Sequence, residues 1–412
     1  MTVTMDRLRP RHPAFDAEME LLIAVARARP DAQGVNRMRT LLGRVHDWPA
    51  LLVRASRHKM LPLLTMHLQH VHDQVPSEMC RLLAVYSLES DRLMLRIIRE
   101  MKDLFTMLEM EGIVAVPYKG PVLGAQLYGS ALARQAGDID ILVSRADAVR
   151  ARALLLGRGY FPRHPLGRGG ERFMFRSRYS ETFDHASGTT VELHWAFTNG
   201  DIALRLTLEE MLPNLERVSV RGASFPVFGR EDLLLTLCVH GSKHRWERLE
   251  WLCGLGEAIR SGGQVDWDGL LQRATAMGVC REVLLGVLLA HDLLGVVVPE
   301  RVLDAARADA PVTYLAAQVP RLLAQKSNDA EADSLATDLF RFRLRKRRRD
   351  RLRFVLYRIL TPSQPERWRA VSVGSVVLPL HGFVRPFRLL RHAASFVYGR
   401  LTSPRGIRSP TR

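Results

Sequence analysis

Four residues of this chain carry the chemistry that its spacing suggests: Lys119, Asp138, Asp140 and Glu192. Asp138 and Asp140 flank a single isoleucine inside the run Gly137-Asp138-Ile139-Asp140-Ile141-Leu142-Val143. Side chains alternate between the faces of a strand, so the two acids are expected on one face and Ile139 and Ile141 in the core. Neighbouring carboxylates repel unless a cation or protons neutralise them. A divalent metal does this, and Mg²⁺ in particular takes one or two carboxylates plus substrate phosphate oxygens. Upstream, Lys119-Gly120-Pro121 reads as the end of a strand and the start of a helix, because the missing N–H of proline has no partner in a first turn anyway. Gly120 lets backbone approach a phosphate, the helix N-terminus favours an anion, and Lys119 adds a cation.

The elements that must hold these residues can be read from periodicity. Apolar spacing of three and four predicts helices over 18–29, 35–45, 48–70 and 76–111. Leu93, Ile97, Met101, Leu104, Phe105 and Leu108 form the clearest stripe, and Gly112 ends it. A strand is expected over 113–118, a helix over 121–128, the Asp138 strand, and a helix over 146–158. Strands follow over 173–182 and 189–195, with Glu192 and His194 sharing a face, and then a short hairpin around Gly222. From Glu231 the pattern is helical again: 231–243, 247–261, 267–277, 281–294 and 299–326. A polar loop is expected over 327–334 and disorder over 403–412. The fold class expected is α+β. A small mixed sheet (91–230) lies between an N-terminal helical region (1–90) and a C-terminal helical domain (231–340), followed by a basic, partly packed tail (341–412).

Charge is localised. The chain of 412 residues has a net charge of +17, and residues 341–412 hold 19 Lys and Arg against two acids, so the rest balances. This excludes a generally basic nucleic-acid binder. The run from Arg341 to Arg353 has nine cations interleaved with Phe342, Leu344 and Leu352, which suits an RNA phosphate track or an amphipathic helix on anionic lipid. Its bland alternative is a helix packed on the body. Four scattered cysteines form no Cys-x-x-Cys pair, and neither a signal peptide nor a transmembrane run is evident, so a soluble, cytoplasmic protein is expected. His240 and His244 lie one helical turn apart, a spacing that binds zinc, but a third ligand is missing from the pattern.

Taken in order, Tyr118-Lys119-Gly120-Pro121, Leu127-Tyr128-Gly129, Arg134 through Asp138-Ile139-Asp140, Val191-Glu192-Leu193-His194-Trp195 and His240-Gly241-Ser242-Lys243-His244 with Trp246 and Arg248 resemble the bacterial uncharacterised nucleotidyltransferase family of the DNA polymerase β-like superfamily. The resemblance implies Mg²⁺-dependent transfer of a nucleoside monophosphate from an NTP to an acceptor hydroxyl on a sugar, small molecule, protein or RNA. It implies Asp138, Asp140 and Glu192 as catalytic carboxylates holding two Mg²⁺ ions. The general base is left open, with Glu192 the first candidate among these residues and His194, on the same strand face, the second. Lys119, Gly120, Arg134, Lys243 and His244 would serve the nucleotide, although Arg134 equally suits a pair with a core acid. Pro121 departs from the superfamily's usual Ser or Gly and removes a phosphate donor, and 17 residues separate Gly120 from Asp138. Cys253-Gly254 stand where an acid is expected after Trp251-Leu252. The alternative is a non-catalytic module of the same fold that binds NTP or nucleic acid.

Overall fold

The computed structural model describes residues 12–165, 175, 178–198, 206–261, 263–325 and 334–360. Five strands form a mixed sheet in the order β1-β2-β5-β4-β3: β1 (Ala115–Pro117), β2 (Ile139–Val143), β3 (Phe161–Pro162), β4 (Ser180–Asp184) and β5 (Thr190–His194). β2 and β5 run parallel and every other pair is antiparallel. The register sets Asp140 opposite Glu192 and Leu142 opposite His194. With period-two alternation, those four side chains share a face. The other face presents Ile139, Ile141, Val143, Val191 and Leu193 to a core with Met94, Ile97, Met101, Leu104 and Leu108. A separate hairpin, β6 (Glu216–Val220) and β7 (Ala223–Val227), turns at Arg221-Gly222, both in the left-handed region.

The long helix Ser77–Met110 supplies that stripe, with one change of register. Leu93 is 38% exposed and Met94 takes its place in the core, because the buried set 94, 97, 98, 101, 104, 105, 108 follows the helical period and 93 falls off it. Two long helical predictions are broken in the structure. Residues 48–70 divide into Trp48–Arg57, Leu61–Leu68 and a 3₁₀ segment, and 299–326 into Glu300–Ala308, Ala310–Ala316 and Val319–Ala324. Pro62, Pro311 and Pro320 each sit in a first turn, where their missing N–H costs nothing, and so each marks a restart.

The N-terminal helices share one buried cluster with the helices Arg230–Lys243, Leu249–Arg260 and Cys280–Leu294. His58 bridges the two groups: Nδ1 accepts from the Leu249 N–H at 3.2 Å, and Nε2 donates to the Leu323 carbonyl at 3.1 Å. Burial, then Arg57, holds His58 down to about 4, so this neutral tautomer persists. After Lys243 the chain reverses through Arg245 and Trp246, both at φ +56°, and the fully buried Trp246 ring rests on Gly241 and Gly286, where no Cβ would fit.

The basic run is not a free arm. It begins inside the helix Ser334–Leu344 and continues into Arg348–Leu360. Arg341 donates twice to the Lys243 carbonyl, closing a helix C-terminus; Arg345 is buried on Glu282; Arg347 donates to the Thr275 carbonyl. Lys346, Arg348, Arg349 and Arg353 remain exposed. Among the described residues no helix is long and apolar enough to cross a membrane. The predicted loop over 327–334, the N-terminal part of the strand expected over 173–182, and the tail beyond 360 with its predicted disorder lie outside the described residues, save Phe175 and the first residue of the helix from Ser334.

Candidate active site

All eight residues nominated from the sequence line one cavity of about 360 Å³. Asp140 comes from β2 and Glu192 and His194 from β5; Lys119 and Gly120 come from the junction of β1 with the helix Gly120–Tyr128. Lys243 and His244 come from the end of the helix Arg230–Lys243. Gly120 sits at φ +64°, and a Cβ there would meet the Ala136 Cβ at 3.3 Å, so both the turn and the close approach favour glycine. Pro121 occupies the first turn behind it.

Asp140 Oδ1 accepts from Lys119 Nζ at 2.9 Å and lies 3.0 Å from His194 Nε2, which is 3.3 Å from Glu192 Oε2. Ser180 Oγ donates to Glu192 Oε1 at 2.7 Å, and the Tyr118 hydroxyl rests against the imidazole. Ligand atoms of Asp140, Glu192 and His194 all fall within 4.8 Å of one another. Two carboxylates and an imidazole at that spacing fit a divalent cation. His194 therefore belongs to the metal-competent group, whereas the sequence named Asp138. The backbone bends at Asp138, one residue before β2 begins, and strand alternation does not reach it; its carboxyl still lines the cavity.

Charge compensation sets the protonation states. Burial opposes the Asp140 carboxylate, but Lys119 and His194 outweigh it and hold its pKa well below the usual range. Burial likewise opposes Glu192, and His194 brings it down to about 2. His194 is raised, since Glu192 and Asp140 overcome its desolvation. Asp138 is raised by burial and by the charge of Asp140. Glu192 thus contributes stability that is fully present above its usual 4.5 and is lost as pH falls toward 2. His194 contributes stability that is full below its usual 6.5 and is lost as pH rises through the raised value. Urea unfolding of metal-free protein should peak in midpoint between those limits, and His194→Gln should remove the alkaline decline. A wild-type midpoint that climbs steadily above pH 6.5 would contradict this.

The remaining candidates divide by partner. Arg134 takes the second role open to it, pairing at 2.6 Å with the buried Glu250. Glu250 lies one helical turn before Gly254, and a Cβ at Gly254 would come 3.2 Å from Arg134 Nη1. Burial and then Lys243 push His244 well below its usual value, and burial with Lys119 does the same to His240. The two neutral rings pack against Trp251, His240 edge-on and His244 tilted, and make no metal group among the described residues. That leaves Lys243 as the cation, 3.0 Å from the Tyr179 hydroxyl and over its ring. Lys59, Tyr179 and Trp251 also line the cavity, and no spacing in the sequence pointed to them.

No curated protein and no solved structure matches the chain. A family model described as uncharacterised nucleotidyltransferase matches residues 45–295. This stretch is more than half of the chain and contains every residue nominated for the site, so the protein belongs to the uncharacterised nucleotidyltransferase family.

Proposed function

We propose that the protein is a Mg²⁺-dependent nucleotidyltransferase that moves a nucleoside monophosphate from an NTP to an acceptor hydroxyl and releases pyrophosphate. The observation that carries this reading is the meeting of Asp140, Glu192 and His194, from two parallel strands, in a cavity that also holds Lys119, Gly120 and Lys243. Asp140, Glu192 and His194 would hold the metal, with Asp138 beside them for a second ion. When bound, the metal supplies charge neutralisation at the phosphates and at the attacking and leaving oxygens. Lys119 and Lys243 bind and orient phosphate oxygens, and the Gly120 turn admits the polyphosphate close to backbone. Glu192, oriented by Ser180 and backed by His194, is the candidate base for the acceptor proton. The acceptor is a sugar, small molecule, protein side chain or RNA end.

Incubation with Mg²⁺ and each labelled NTP tests this. Pyrophosphate release and label transfer that vanish in Asp138→Ala and Asp140→Ala support transfer. NTP binding without turnover favours the non-catalytic module, for which Pro121 and the internal pairing of Asp140 with Lys119 are the supporting observations. The four exposed cations between Lys346 and Arg353 are what remains for an RNA or anionic lipid surface. Steeply salt-dependent binding lost on neutralising them would support that partner.

A further inference from the structure

We infer that Lys59, from the N-terminal helices, is a phosphate-binding residue that adds a further cation to the polyphosphate site of Lys119 and Lys243; this rests on the nucleotide reading above. Lys59 occupies the turn between the helices Trp48–Arg57 and Leu61–Leu68, at φ +53°. L side chains rarely adopt that conformation, and glycine takes it freely. Its N–H donates to the Ser56 carbonyl and the Met60 N–H to the Ala55 carbonyl, the pattern of a helix end that ordinarily selects glycine at this position.

The surroundings enforce the conformation. His58 before it is buried and pinned to Leu249 and Leu323, and Met60 after it is fully buried. The Lys59 side chain lines the cavity with Asp138, Lys119 and Lys243, and it makes no hydrogen bond or ion pair to the described residues. Of the other cations lining the cavity, Lys119 is tied to Asp140, Lys243 to Tyr179 and Arg134 to Glu250, and Arg248 lies over the Trp251 ring, so among the described residues Lys59 has no such partner to release before taking a phosphate oxygen. A backbone outlier whose side chain lines a cavity and makes no ion pair or hydrogen bond to the described residues is the kind of local strain that persists for function.

The test uses the full chain with Mg²⁺ and calorimetric titration of each NTP and of inorganic triphosphate, which lacks a base. Lys59→Gly and Lys59→Asn both tolerate the left-handed turn and remove the charge. Each should weaken NTP and triphosphate binding by about 10- to 100-fold, the loss of one charge-assisted hydrogen bond. Melting temperature should hold or rise by about 1–2 °C in Lys59→Gly, and Lys59→Arg should keep most of the affinity. Unchanged triphosphate affinity in both neutral variants overturns the assignment. So does a fall in melting temperature that accounts for the loss, which would make Lys59 structural. Failure of the wild type to bind any NTP or triphosphate is a different result: it removes the nucleotide reading itself.

Discussion

Asp140→Asn should abolish nucleotidyl transfer and also weaken the fold, whereas Asp138→Asn should abolish transfer and leave the fold as stable or slightly more so. Both acids line the cavity, and losing one side of the metal and phosphate arrangement removes several kcal/mol of transition-state stabilisation, about 10³-fold or more in rate. Their folded-state environments are opposite. Asp140 is buried and is the shared partner of Lys119 and His194, so its neutral replacement leaves two cations facing an amide. Removing one partner from such a cluster costs about 3 kcal/mol, moderated because Lys119 reaches solvent and His194 can release its proton. Asp138 carries its charge against burial and against Asp140, so neutralising it relieves repulsion. Rate assays paired with chemical denaturation separate the two. Equal destabilisation by both substitutions would mean that Asp140 is not the acid that compensates the cluster.

That asymmetry marks where sequence reading stops. Asp-x-Asp in an apolar run was legible because strand alternation is a local rule, and the β2 side of the site follows from it. Glu192 and His194 were legible as a pair on one face, but their placement opposite Asp140 and Leu142 is a matter of parallel register between strands that are about 50 residues apart, which local pattern does not encode. The motif order supplied it instead. Lys59 was invisible for the complementary reason. Periodicity read 48–70 as one helix, and only the turn forced by Pro62 and the burial of His58 and Met60 brings that side chain to the cavity. Nor did local pattern show that Gly254 lies beside Arg134, whose guanidinium passes it to pair with Glu250.

The basic run shows the same limit on charge patterns, and it yields the largest stability prediction. Nine cations in 341–353 suggest a solvated track, yet Arg345 is 1% exposed and its guanidinium is directed at Glu282, itself buried in the helix Cys280–Leu294. Among the described residues Arg345 Nη1 and Glu282 Oε2 find no hydrogen-bond partner, and burial outweighs Arg345 to leave the Glu282 carboxyl raised. Desolvation is therefore only partly offset. Arg345→Met alone should cost about 3–5 kcal/mol, because it strands Glu282 among apolar side chains. Arg345→Met with Glu282→Leu should recover that loss and reach wild-type stability or exceed it by about 1–4 kcal/mol, since well-packed apolar residues remove the desolvation penalty. Denaturant midpoints of the two single variants and the double give the coupling directly. Single variants whose losses simply add in the double would show that the two side chains do not meet, and that the helices Ser334–Leu344 and Arg348–Leu360 are held to the body by Arg341, Arg347 and their apolar neighbours instead.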